Sequence, residues 1–188
     1  MGGKSRAGFS LIEVAVVILI LAVITVALMG LFLTGNIFTA QARHEVAALN
    51  QAREILEEIK SIPDSQLGTT QDAGDDWIRL ESRASSEDDF YNGYLIATTG
   101  GTGAGQVREV VDYDGESRVA TVGPLWRTKP IANDTTYVIF KGNDYDYEFR
   151  IHVTEDETLD LKTVTVVVYY EDRGRQKEVS LTTEKLRR

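Results

Sequence analysis

Cysteine is absent from the 188 residues, which excludes disulfides, a thiolate nucleophile and any cysteine-based zinc or iron–sulfur site. Histidine is nearly absent: His44 and His152 stand too far apart in the chain to suggest a metal site by themselves. Basic residues are outnumbered by acidic ones, 20 to 29, and the net charge is −9. Such a chain lacks the clustered Lys and Arg that replace counterions around phosphates, so a general nucleic-acid-binding surface is excluded. Charge of either sign is missing altogether from Val14 to Gln41.

What fills that uncharged stretch sets the class of the protein. Val14 to Leu33 is apolar except for Thr25 and Gly30. Twenty helical residues reach about 30 Å, the hydrocarbon thickness of a bilayer. A lone strand in lipid would leave its backbone unpaired, so the run predicts a transmembrane helix at about 14–33. Lys4 and Arg6 precede it and no basic residue follows until Arg43, which places the N-terminus in the cytoplasm and the bulk of the chain outside. An ordinary secretory signal has a shorter apolar run ending in small residues, and Ala40-Gln41-Ala42 imitates such a cut. The run is too long for that reading, and Glu13 stands at its head.

The segment Gly8-Phe9-Ser10-Leu11-Ile12-Glu13-Val14 resembles the class III signal of type IV prepilins and of the pseudopilins of type II secretion. In that family a membrane peptidase cuts after the glycine and N-methylates the new first residue. The resemblance implies a leader peptide at 1–8, cleavage between Gly8 and Phe9, methylation of Phe9, and an assembly role for Glu13. A carboxylate at full depth in hydrocarbon costs roughly 2.5–3.5 kcal/mol and therefore needs a partner or a function. Cleavage before Phe9 would create an ammonium one helical turn away, the obvious counter-ion, in the same chain or in a neighbouring subunit. The alternative for Glu13 is a headgroup-zone acid that favours the positive helix N-terminus.

Beyond Leu33 the chain stays helix-compatible and becomes amphipathic. Leu49, Ala52, Leu56 and Ile59 form a stripe flanked by Val46, Ile55 and Ile62, and charged residues such as Arg53, Glu54, Glu57 and Glu58 take the remaining surface. Pro63 stops the run, so one helix is expected over 9–62. Residues 51–60 resemble the corresponding helix of minor pilins and minor pseudopilins.

Residues 63–87 are acidic and small, with Trp77-Ile78-Arg79-Leu80 the only strand-like interruption, and are expected as a solvated linker. No calcium-loop frame occurs among the acids. The glycine-rich Gly100–Gly105 fails as a phosphate loop: Gln106 stands where a third glycine would fall, no P-loop lysine is present, and no helix follows. A flexible β-turn between strands at 94–97 and 106–111 is expected instead. Asp114-Gly115 signals a hairpin, which makes Asp112, Asp114 and Glu116 turn residues. Asp88 to Phe140 resembles a small β module common in phage structural proteins, which implies an inserted surface module at 88–141. From 142 to 188 the alternation of Tyr145, Tyr147, Phe149, Ile151 and Val153 with polar residues predicts a half-buried strand, with His152 on its polar face. Leu161–Tyr170 and Lys177–Thr183 supply two more strands around a turn at 172–175.

The expected fold is α+β: a long N-terminal helix packed on a C-terminal antiparallel sheet, with an inserted all-β module. The leading functional class is a structural subunit, a minor pilin or pseudopilin of a type IV pilus or type II secretion-type filament. It implies prepilin peptidase, sister subunits and the inner (cytoplasmic) membrane as partners and no cofactor or metal. A single-span anchored binding protein that never polymerises is the second class. No Ser/His/Asp or paired-carboxylate arrangement points to an enzyme.

Overall fold

The computed structural model describes residues 10–156 and 161–186. The chain divides into two units, residues 1–43 and 44–188, and the helix α1 (Leu11–Ser61) contributes to both. The fold is α+β. In the second unit α1 is followed by a 3-10 turn at Asp64–Gln66 and ten strands. These are β1 (Leu67–Thr69), β2 (Asp72–Ala73), β3 (Trp77–Arg79), β4 (Leu95–Gly100), β5 (Val107–Asp114), β6 (Val119–Gly123), β7 (Thr136–Phe140), β8 (Phe149–Asp156), β9 (Leu161–Asp172) and β10 (Arg175–Leu186). They form a seven-stranded sheet, ordered β1-β7-β4-β5-β6-β3-β2, and a three-stranded sheet, ordered β10-β9-β8. Every pairing is antiparallel.

Alternation of side chains across the strands divides the unit into two cores. Val138 and Phe140 of β7 face the first core, with Ile151, Val164, Val166 and Val168 of the small sheet. Tyr137 and Ile139 of the same strand face the second, with Ile78, Tyr91, Val110 and Tyr113. The larger sheet is therefore buried on both faces. Helix α1 closes the first core with Ala48, Ala52, Ile55, Leu56, Ile59 and Ile62. Full burial of each large aliphatic side chain on that face contributes about 1.5–3 kcal/mol.

This face is turned slightly from the expected stripe. Leu49 is half-buried and Val46 is 53% exposed, while Ala48 and Gln51 lie inside. Two alanines let the helix approach the sheets closely, and the amide of Gln51 is tolerated because both its ends are paired. Its Nε2 donates to the Tyr147 carbonyl at 2.7 Å, and its Oε1 accepts the Tyr147 N–H at 3.0 Å.

The acidic stretch 63–87 is not a linker: it supplies the 3-10 turn and β1, β2 and β3 to the larger sheet. Ile78 and Leu80 are fully buried there, and β1 pairs with β7 through Leu67↔Val138. The short strands survive because distant partners complete them. The glycine-rich turn is likewise tied down. Thr98 Oγ1 donates to Gly103 O at 2.7 Å, and Gln106 Nε2 donates to Gly103 O at 2.8 Å and Thr128 O at 2.7 Å. Gly101 has φ +71°, and a Cβ there would lie 2.2 Å from the Asp134 carbonyl oxygen. The hairpin residue Asp114 accepts the N–H groups of Glu116 and Ser117 at 2.9 and 3.0 Å.

The small sheet follows the expected alternation, with its first strand beginning at Phe149 rather than Tyr145. His152 is exposed on β8. Inward-facing Lys162 is 5% exposed and is neutralised by Glu155 at 2.6 Å. Lys185 of β10 caps α1, donating to the carbonyls of Ile62 at 2.6 Å and Ile59 at 3.4 Å. The carbonyls at a helix C-terminus have no partner within the helix, and a cation there also meets the negative end of the dipole.

Two outcomes follow. Replacing Gln51 with Ala strands both polar groups of Tyr147, so denaturation of the detergent-solubilised chain should show a loss of about 2–4 kcal/mol. A loss indistinguishable from that of an exposed-site control such as Asn50→Ala would refute the role given to the amide. The second concerns Asp134, whose carboxyl is held below its ordinary 3.8 by hydrogen bonds from the Thr102 side chain and backbone. A depressed carboxylate pKa gives stability that is present above the unfolded value and lost as pH falls through the folded one. Protection of the amides of residues 100–106, taken relative to their intrinsic exchange rates, should therefore fall as pH drops below about 3.8, and Asp134→Asn should remove most of that pH dependence.

Candidate functional site

Glu13 is the one ionisable residue between Leu11 and Gln41, and the structure places it in the first turn of α1. The turn is started by Ser10, whose carbonyl accepts the N–H groups of Glu13 at 3.0 Å and Val14 at 3.2 Å. The unpaired N–H groups of a helix start and the aligned peptide dipoles give this end a partial positive charge, which favours a carboxylate. That effect falls off within the first turn, which is where Glu13 sits. Gly8 and Phe9 lie outside the described residues.

The helix beyond Glu13 is long and apolar enough to cross a membrane. Its side chains find no protein cover in this unit: Leu31, Phe32 and Phe38 are 71%, 76% and 63% exposed. In water this surface would be strongly unfavourable, at roughly 25 cal/mol for each Å². Its threonine hydroxyls are satisfied within the helix. Thr25, Thr34 and Thr39 donate their hydroxyls to the carbonyls of Leu21, Gly30 and Gly35 at 2.7, 2.8 and 2.9 Å. This back-bonding is how a hydroxyl is accommodated where water is absent. What remains is a rod surface suited to lipid or to other apolar helices, with one carboxylate at its start.

In the second unit, α1 carries a row of polar residues with a definite task. Glu58 accepts the Gly142 N–H at 2.9 Å and the Tyr145 hydroxyl at 3.3 Å, and Glu54 accepts the Asn143 amide. Burial and the neighbouring Glu58 carboxylate push the Tyr145 phenol well above its ordinary range. Together with Gln51 these groups fasten the segment joining the two sheets. Sequence reading assigned these glutamates to the solvent face. A signal existed in the run of hydrogen-bonding side chains at Gln51, Glu54 and Glu58, one to two turns apart on one side of the helix.

His44 is exposed, with Nδ1 3.2 Å from the Tyr147 hydroxyl. It is not brought together with His152 into a metal site: among the described residues no group of three or more His, Asp or Glu is arranged to hold an ion. A cleft of about 610 Å³ is lined by His44, Tyr147, Tyr169, Glu171 and Gln176, among others.

Residues 3–29 match the family described as the prokaryotic N-terminal methylation motif. The match covers Lys4, Arg6, Gly8, Phe9, Glu13 and the first part of the apolar helix. It supports a type IV pilin-like protein that carries a prepilin-type signal, and the apolar helix is consistent with membrane anchoring. No curated protein and no solved structure matches the chain.

Proposed function

We propose that the chain is a minor pilin or minor pseudopilin, a structural subunit of a type IV pilus or a type II secretion-type filament. The observation that carries this reading is the placement of Glu13: a single carboxylate in the first turn of a helix that is otherwise uncharged as far as Gln41 and uncovered along that apolar part, four residues beyond Phe9. Prepilin peptidase cuts that junction and methylates Phe9. The apolar helix then holds the subunit in the bacterial cytoplasmic membrane, with the N-terminus on the cytoplasmic side. During extraction into the filament, the carboxylate of Glu13 pairs with the ammonium of Phe9 in a neighbouring subunit. In a low-dielectric surrounding an unpaired carboxylate is disfavoured, so this pairing sets the axial register between helices.

The folded unit of residues 44–188 decorates the filament, and the role is structural rather than enzymatic. The outer part of the seven-stranded sheet, built largely from β4–β7, is the surface the head presents, in keeping with the resemblance of that region to phage structural modules. A bulky two-sheet head favours a minor subunit over the repeating one, because every repeat would have to accommodate it. The competing reading is a single-span anchored binding protein that never polymerises.

Co-expression with a prepilin peptidase separates the two. Mass spectrometry should find a chain shortened to begin at methylated Phe9, and Gly8→Ala should abolish the cut. A wild-type chain that still carries its leader under those conditions would favour the anchored binder. Glu13→Val should be processed normally yet fail to enter filaments, and undiminished incorporation would discredit the pairing.

A further inference from the structure

Strand β10 pairs with β9 residue for residue, from Arg175↔Asp172 to Leu186↔Leu161, with no register shift. Among the described residues β9 is its only strand neighbour, so the far edge of β10 is open along all 12 residues. Such an edge is a row of backbone N–H and C=O groups ready to pair with another chain. Proteins usually blunt it with a proline, a bulge, a short strand or outward lysines. Proline, a bulge and shortness are all absent from β10, and two of its lysines are engaged within the chain. The last proline in the sequence is Pro130. Lys177 is bound to Asp172 on the neighbouring strand at 2.6 Å. Lys185 is folded under α1, its side chain 14% exposed, donating to Ile62 O.

The side chains of β10 define what would fit. On one face Val179 and Leu181 pack against the core yet stay half-exposed, so the apolar strip runs out to the rim. On the other, Glu178, Ser180, Thr182 and Glu184 are exposed. An added strand would place apolar β-branched residues beside Val179 and Leu181 and cations beside Glu178 and Glu184. A second copy of this chain suits the edge poorly. Glu45 acts on the charge of Lys177 while Ile62 binds Lys185, so α1 and β10 run in the same direction. Antiparallel pairing of two β10 strands would set their two α1 helices in opposite directions. Pairing centred on Leu181 would moreover set Glu178 and Glu184 of one strand against the same acids of the other, whether the two strands run parallel or antiparallel.

We propose that the open edge of β10 is a docking site for an extended, cation-bearing segment of a different protein, which adds to the small sheet as a fourth strand. Backbone hydrogen bonds supply the attraction, and the alternation of apolar and basic side chains supplies the selectivity.

The test uses the full chain in detergent and a fluorescent heptapeptide, Lys-Val-Thr-Val-Thr-Val-Lys. Its lysines fall opposite Glu178 and Glu184 and its valines opposite Val179, Leu181 and Thr183. It reads the same in both directions, so it serves parallel and antiparallel pairing alike. Anisotropy should show saturable binding, and hydrogen exchange should slow in β10 but not in residues 100–105. Charge reversal by Glu178→Lys with Glu184→Lys should weaken binding by about tenfold and confer binding of the counterpart with glutamate at both ends. The proposal is overturned by absent or unsaturable binding, by indifference to the reversal, or by equal binding of the shuffled Lys-Val-Val-Thr-Thr-Val-Lys. A concentration-dependent dimer that the peptide dissolves would assign the edge to a second copy and overturn the occupant named here. None of these readouts involves leader removal or filament entry, so a failure of the filament reading leaves them interpretable.

Discussion

The folded unit depends on one helix serving two sheets at once. Ile55, Leu56 and Ile59 reach β-branched residues of the small sheet and the inner face of the larger one, and neither sheet closes that core alone. A sheet buried on one face only would need no such arrangement. Here β4 and β7 are apolar on both sides, so the helix and the small sheet must cover one side while Tyr91, Tyr113 and Trp126 fill the other. Burial sets the approach, and directional bonds set the register. The paired hydrogen bonds between Gln51 and Tyr147 act as a short rung of ladder between a helix side chain and an extended segment. An unpaired amide at that depth would be costly, so the rung admits one sliding position.

The apolar half of the helix obeys a different rule. Inside the folded unit, polar groups are answered by neighbours distant in sequence. Between Leu11 and Phe38 the threonine hydroxyls are answered by the helix's own carbonyls, and the apolar surface is left outward. The hydroxyl of Thr25 needs nothing beyond its own turn. The carboxylate of Glu13 has a requirement that the helix meets in part, through the field at its start.

Much of this was legible in the sequence, where local pattern and final environment agree. An uncharged run from Val14 to Gln41 permits few structures, and Pro63 marks the end of α1 to within two residues. Asp114-Gly115 and the alternation from Phe149 to Val153 speak for themselves because turns and half-buried strands carry short-range signatures. The strands β1 and β2 do not: three and two residues hold no period, and their stability comes from β7 and β3. Gln106 was read only as a glycine that was missing. Its amide in fact joins the 100–105 turn to the 127–128 backbone, a task set by tertiary contact. Of the candidate site, the chemistry of Glu13 was visible from its isolation among apolar residues, whereas the fastening work of Glu54 and Glu58 depends on a segment more than eighty positions away.

The cap on α1 has a consequence for biosynthesis. The ribosome delivers the helix first, and the lysine that satisfies its final carbonyls arrives with the last strand. Until Lys185 emerges, those oxygens must be hydrated, and the helix face that will meet the sheets has little to lie against. The half of α1 that meets the sheets therefore waits, partly formed, while its apolar first half needs nothing from the later strands. Maturation of the head is in this sense posttranslational by construction, completed from its far end back toward its beginning.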